Sequence, residues 1–416
     1  MIESGRFEAL RDPADVLLVT GESRTGLAAA RSLARNGVPF VVIGGRTRGM
    51  VAASRAVRRR VVAPRAADLP EAFVEFIVGA AERTGARVVL PTADNVLRVL
   101  NSHREALAEV GLTLAAGPSI GVENVLDKRA NLATARRLGI PCPEQFELEH
   151  VGQLPELLER LSFPIVLKPP EAGGAGGAHA FRFKWLVAND ETELRALLAE
   201  NCSTGAFPLF QELARGTNVC IYCLAAAGET IALYALKAIR RAGGHNVYRE
   251  IVPPDPMLVG YTRGLLAELS WDGPAALSFF VAPDGAVRYM ETNGRITGSV
   301  EAGIHAGWDI PYWVVQYFMD GVRPDPPPIA VGSRTCWRYG DLVGLLSVLH
   351  GEAWRTDREQ VGRLRAVIDY ASAFRPGVHA DVFRLDDPLP ELVEHWEWLW
   401  SAGSGSVRKT VRRLRG

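Results

Sequence analysis

An unbroken apolar run at residues 16–19, a loop bounded by Gly21 and Gly26, a helical stretch closing at Asn36-Gly37 and a second apolar run at residues 40–43 open the chain. A strand without polar alternation cannot leave one face in water. Such a βαβ start therefore commits this part of the chain to a buried parallel sheet with a right-handed crossover. At 416 residues the chain is too long for one small domain, and two or three compact units are expected. The loop at 21–26 lacks the G-x-G-x-x-G spacing, and Gly44-Gly45-Arg46 stands where an acidic residue would close the second strand. A nicotinamide cofactor is therefore not expected.

Chemistry concentrates further on. Residues 289–303 read YMETNGRITGSVEAG, directly after an apolar strand and a Pro-Asp-Gly turn. Side chains two apart share a strand face, so Glu291, Asn293 and Arg295 line up. A carboxylate, an amide oxygen and a guanidinium in that order make a half-site for Mg²⁺ and phosphate. Upstream, Lys128 lies in a helix expected to start at Asp127 and stop at Gly139, with Pro141 just beyond. Lys168 ends the short run FPIVLKP, and a glycine-rich loop follows with Gly173, Gly174, Gly176 and Gly177. Glycine backbone of this kind can close over phosphate oxygens, although a flexible hairpin has the same composition.

In this order the motifs Asp127-Lys128, VLKP at 166–169, QELARG at 211–216 and ETNGR at 291–295 resemble the ATP-grasp superfamily, in particular predicted carboxylate-amine ligases related to biotin carboxylase and carbamoyl phosphate synthetase. The resemblance covers roughly residues 15–350. It implies an α/β chain with an N-terminal Rossmann-like pre-ATP-grasp domain (1–118), followed by a two-subdomain ATP-grasp fold (α+β). Subdomain A carries the lid loop (119–205), subdomain B follows (206–322), and a C-terminal helical extension (323–416) closes the chain.

The same resemblance implies ATP and Mg²⁺ as cofactors. Lys128 and Lys168 would hold phosphates and the four glycines would form the lid. Gln211, Glu212 and Leu213 would meet the adenine edge, and Asn218 falls at a ribose-binding position. Lys237 lies in a charged stretch with Arg240, Arg241 and His245, where relatives place phosphate or substrate contacts; alternation alone does not decide which side of the cleft Lys237 and Arg241 face. Glu291 and Asn293 match metal ligands, and Arg295 and Ser299 the groups that steady the transferred phosphoryl. Relatives carry a further acidic ligand on the preceding strand, where this chain offers Ser278. That departure puts a second Mg²⁺ in doubt. At the strand ends of the first domain, Arg24, Arg46 and Asp94 are candidates for the acceptor side, although each reads as a solvent-facing loop residue.

The implied activity is an ATP-dependent ligase forming a C–N bond between a carboxylate and an amine through an acyl-phosphate. An enol or vinylogous acid as the activated group, or a degenerate ATP-binding or carrier-binding module, are the alternatives. Lys plus Arg equals Asp plus Glu at 47 each, so no global field draws the chain to nucleic acid or membrane. The expected partners are small-molecule substrates and a second copy in a homodimer. Without an opening signal peptide or a membrane-length apolar run, a cytoplasmic location is expected. Cys220 and Cys223 sit in a strand-like run, where three-residue spacing turns them to opposite faces and argues against a redox or zinc pair. Trp396, Trp398 and Trp400 read as a surface cover or subunit contact, and the basic tail at 407–416 as a solvated helix end.

Overall fold

The computed structural model describes residues 10–46, 48–170, 181, 183, 185–202, 206–351 and 361–401. The lid glycines Gly173, Gly174, Gly176 and Gly177, the basic tail and the side chains of Trp398 and Trp400 lie outside the described residues.

Strands β1 (Val16–Val19), β2 (Phe40–Gly44), β3 (Arg60–Val62), β4 (Val88–Pro91) and β5 (Thr113–Leu114) form a parallel sheet in the order β3-β2-β1-β4-β5. Its apolar strands are buried on both faces, as the opening run requires. Leu17 and Val19 join one core with Ile77 and Leu97, while Val16 and Leu18 join another with Leu27 and Leu33. Helix Arg24–Arg35 covers one face, and helices Pro70–Thr84 and Asp94–Ser102 the other. The strand order reverses between β1 and β4, and the loops leaving those two strands open a crevice there.

A second, antiparallel sheet contains β6 (Gln145–Phe146), β7 (Ile165–Lys168), β8 (Leu186–Ala188) and β9 (Leu209–Glu212) in the order β6-β9-β7-β8. Ile165, Leu167 and Phe210 pack with Leu194 and Leu198 of helix Glu191–Asn201 in a core of their own. Helix Lys128–Arg137 starts where the sequence indicates: the Asp127 carboxylate accepts from the backbone N–H of Arg129 (2.7 Å) and Ala130 (3.2 Å). It stops before Gly139, whose φ of 72° suits a residue without a Cβ.

The third sheet holds β10 (Thr217–Ala226), β11 (Glu229–Ala242), β12 (His245–Val252), β13 (Gly273–Val281), β14 (Val287–Asn293), β15 (Arg334–Cys336) and β16 (Val378–Ala380). The order is β14-β13-β10-β11-β12-β15-β16, antiparallel except for the β15–β16 pair. Cys220 and Cys223 do point to opposite faces of β10: Cys220 packs with Tyr222 and Leu224, Cys223 with Ile221 and Ala225. The chain is thus a mixed α/β protein, as expected. The C-terminal extension, expected to be helical, also carries strands: β15 and β16 extend the sheet, alongside helices Arg338–Leu349, Arg363–Ala371 and Leu389–Ser401. Three-residue strands are too short to leave a periodic signal. No helix among the described residues is long and apolar enough to cross a membrane.

Candidate active site

A cavity of about 1300 Å³ is lined by all three sheets. At one end Lys168 closes β7. Its Nζ donates to Gln211 Oε1 at 2.5 Å, diagonally across the β7–β9 pair. Lys128, the first residue of its helix, donates from Nζ to Pro169 O at 2.8 Å, next to the glycine loop. Burial pushes the Lys168 ammonium down from 10.5 to about 8; Glu291 opposes the fall, and Lys128 and Arg241 add to it. Lys128, Lys168, Arg241 and Glu291 therefore act on one another at this end of the cavity.

Glu291 and Asn293 share the cleft face of β14, 3.4 Å apart between Asn293 Nδ2 and Glu291 Oε1. Ser278 lies directly across the pair from Glu291 and on the same face, so the position read as the missing acid does border Glu291 and Asn293. A carboxylate and an amide oxygen suit a hard divalent cation whose remaining ligands are water and phosphate oxygens. No group of three or more His, Cys, Asp or Glu that could hold a metal occurs among the described residues. The donor set therefore fits one Mg²⁺ brought in with a polyphosphate.

Arg295 lies just past β14 and still borders the cavity, but its guanidinium is held by a partner the sequence did not foresee. Nε and Nη2 donate to the two Asp94 oxygens at 2.6 and 2.7 Å, and Nη1 to Ile296 O at 3.3 Å. Burial opposes its charge, and the Asp94 carboxylate more than offsets this, raising the pKa. Ser299 is nearly buried and lines the same cavity, as do Glu212 and Leu213.

Two of the expected cofactor-binding residues are placed differently from the others. Lys237 is absent from the cavity wall; its ammonium lies 3.7 Å from Glu250 on β12. Register shifts at Ala238/Arg240 and Arg240/Arg241 interrupt the alternation, so Arg241 faces the cleft and Lys237 does not. Asn218 does border the cleft, but its amide is consumed by the protein. Nδ2 donates to Ser278 Oγ (2.9 Å) and Phe279 O (3.1 Å), while Oδ1 accepts from Asn246 Nδ2 (2.8 Å) and Cys220 Sγ (3.4 Å). A ribose hydroxyl would have to displace one of these.

The first sheet contributes more than its loop composition indicated. Arg24 and Asp94 sit at the crevice between β1 and β4 and line the cavity, whereas Arg46 is exposed as expected. Arg24 Nη1 donates to Asp381 Oδ2 at 2.6 Å and to Gly298 O at 3.3 Å, and its guanidinium lies 3.9 Å from the centroid of the Trp337 ring. Asp381 also pairs with the fully buried Arg249. Burial lowers the Arg24 pKa, and Asp381 opposes the fall. Trp337, Asp369 and Glu394, all from the C-terminal part of the chain, complete the cavity wall. None carries a motif that could have announced it.

No protein-family model matches the chain. Two curated carbamoyl phosphate synthase large chains are similar: that of Rubrobacter xylanophilus is 28% identical over 135 residues and that of Methanosarcina acetivorans 22% over 294, covering 30% and 66% of this chain. The matches span 13% and 26% of the length of those proteins. Among solved structures, the biotin carboxylase domain of Hydrogenobacter thermophilus 2-oxoglutarate carboxylase, a dimer with MgADP and bicarbonate, aligns with a TM-score of 0.61 at 15% identity, over 77% of this chain and 73% of its own. The ADP complex of N5-carboxyaminoimidazole ribonucleotide synthetase gives 0.61 at 16%, over 82% and 86%. The L-amino acid ligase of Bacillus licheniformis gives 0.58 at 16%, over 74% and 75%. By fold the chain is similar to these three enzymes, and over part of its length its sequence is similar to the carbamoyl phosphate synthase large chains.

Proposed function

We propose that the chain is an ATP-dependent ligase that joins a carboxylate to an amine through an acyl-phosphate, releasing ADP and phosphate. The supporting observation is that the ammonium groups of Lys128 and Lys168 and the Glu291–Asn293 pair border one cavity, where burial lowers the Lys168 pKa to about 8.

In this reading Lys128 and Lys168 neutralise phosphate oxygens, and Gln211, Glu212 and Leu213 border the base. Glu291 and Asn293 would hold Mg²⁺, which would supply Lewis-acid stabilisation of phosphate charge. Arg295, fixed by Asp94, presents a rigid charge toward the transferred phosphoryl, with Ser299 nearby. Phosphoryl transfer needs little covalent help from protein, so positioning and preorganised charge are what these residues contribute. The substrate carboxylate attacks the γ-phosphorus, and the amine then attacks the activated carbonyl carbon. Small-molecule acids and amines as partners, and a homodimer, belong to the same proposal.

A matrix of candidate carboxylic acids against amines, read by ADP formation and product mass, tests it. ADP release that requires both members of one pair, with a product mass equal to their condensation, is the expected result. Tight ATP binding without acceptor-dependent ADP release across the matrix would overturn it.

A further inference from the structure

The C-terminal helix Leu389–Ser401 sends one carboxylate into the wall of the same cavity, and the steps above do not use it. Glu394 Oε1 accepts from Trp337 Nε1 at 2.9 Å. Its second oxygen, Oε2, is buried and has no hydrogen-bond partner among the described residues. No ion pair within the described residues compensates it either: the nearby Arg24 is turned to Asp381. A buried carboxylate oxygen left without a donor costs about 1–3 kcal/mol, so its retention in a cleft needs a reason.

We infer that Glu394 receives the ammonium group of the amine substrate at Oε2 and takes its proton before the C–N bond forms. This rests on the ligase reading and deepens it. An ammonium brings donors and no acceptor, which is what an unpartnered carboxylate oxygen can satisfy. Contacts also link this end of the cavity to the phosphoryl end: Glu394 holds Trp337, Trp337 lies under Arg24, and Arg24 reaches Gly298, just beyond Arg295.

The chemistry balances. One proton passes from R–NH₃⁺ to the Glu394 carboxylate, and the amine lone pair forms the new bond to the acyl carbon as the C–O bond to phosphate breaks. The second amine proton leaves with phosphate as HPO₄²⁻, and Glu394 returns its own proton to solvent. A base for this step works best when it titrates near the working pH. Burial pushes the Glu394 carboxyl up to about 7; the Trp337 hydrogen bond and Arg24 pull it down, and Glu391 and Asp381 push it up. Those groups, with Tyr339 across from it, are the charged and titratable ones facing Glu394.

Glu394→Gln keeps an acceptor for Trp337 Nε1 and removes the base. The probes are the acid and amine found in the matrix screen and, separately, hydroxylamine, which is already unprotonated at neutral pH and traps the acyl-phosphate as a hydroxamate. Coupling to the amine at pH 7 should fall about 100-fold or more, the deficit shrinking as pH passes the amine's own pKa, while hydroxamate formation persists. Equal losses with both nucleophiles, or no loss with either, would overturn the assignment while leaving the ligase reading intact. A wild-type protein that forms neither product with any acid would refute the ligase reading, and this inference with it. Independently of turnover, the ¹⁵N-indole resonance of Trp337, assigned with Trp337→Phe, should titrate near pH 7 and lose that inflection in Glu394→Gln; a flat wild-type profile refutes the base.

Discussion

Lys168→Met separates the burden of the cationic cluster from its use. Methionine keeps the apolar stem and removes the charge. A lysine held near 8 instead of 10.5 disfavours the folded state by about 3 kcal/mol at pH 7, at about 1.4 kcal/mol per pH unit. Against this gain, Gln211 Oε1 loses its donor, a loss of about 1–3 kcal/mol in a buried position. The ligand-free variant should therefore gain about 1 kcal/mol, which for 416 residues at about 2 cal/mol/K each is about 1 °C in the melting midpoint. The sign reverses with pH. Because the folded pKa is depressed, the unfolded chain holds the extra proton between about 8 and 10.5, so wild-type stability rises across that window as the penalty disappears. By about pH 10 the wild type should equal or exceed the variant, since only the Gln211 loss remains. Thermal unfolding at both pH values, with and without ATP and Mg²⁺, is the assay. Saturating nucleotide at about 100 times its Kd should stabilise the wild type by about 3 kcal/mol and the variant far less. A variant less stable than wild type at pH 7 and equally stabilised by nucleotide would refute the reasoning.

Four further outcomes follow from the same cleft. Glu291→Gln removes the carboxylate of the metal pair and should shift the Mg²⁺ dependence of ADP formation to higher concentration; an unaltered metal titration would take Glu291 out of that role. Ser278→Glu, directly across from Glu291, should shift the same curve to lower concentration by adding a second anionic ligand, and a weaker metal response would show that the added charge is not shared by the ion. Arg295→Ala should lower turnover by about two to three orders of magnitude with ATP affinity less affected. Asp94→Asn should cost about 3 kcal/mol of stability in chemical denaturation, because it leaves a guanidinium at 16% side-chain exposure without its charge partner. The exposed Arg87–Asp320 pair, with side chains 51% and 52% exposed, is the control, where Asp320→Asn should change stability by under about 1 kcal/mol.

What could be read from sequence was whatever local physics writes locally. The opening apolar strands, the Asp127 cap and the Gly139 stop left their marks in consecutive residues, and the structure keeps all of them. The same holds for Glu291 and Asn293, whose common face needs only a period of two. Lys237 shows where that logic fails. Simple alternation puts 237 and 241 on one face, but the bulges in β11 rotate one of them away. Bulges depend on how a partner strand is matched, and one strand's sequence does not carry that information.

The second end of the cleft was illegible for a related reason: its groups come from segments separated by hundreds of positions. Arg24 meets Asp381, Arg31 meets Asp387, and Trp337 meets Glu394. The first two contacts tie the parallel sheet to the C-terminal segment through largely buried charge pairs, with side chains 11% and 0% exposed in one and 4% and 8% in the other. Removing one partner from such a pair leaves an unpaired buried charge, so breaking this junction on one side is costly even where the intact pair adds little net stability. The wall that carries Trp337 and Glu394 is thereby fixed against the crevice between β1 and β4. That rigidity is what an acceptor site needs: a reacting amine must be held to a fraction of an ångström relative to groups on another sheet, and an unanchored tail could not set that distance.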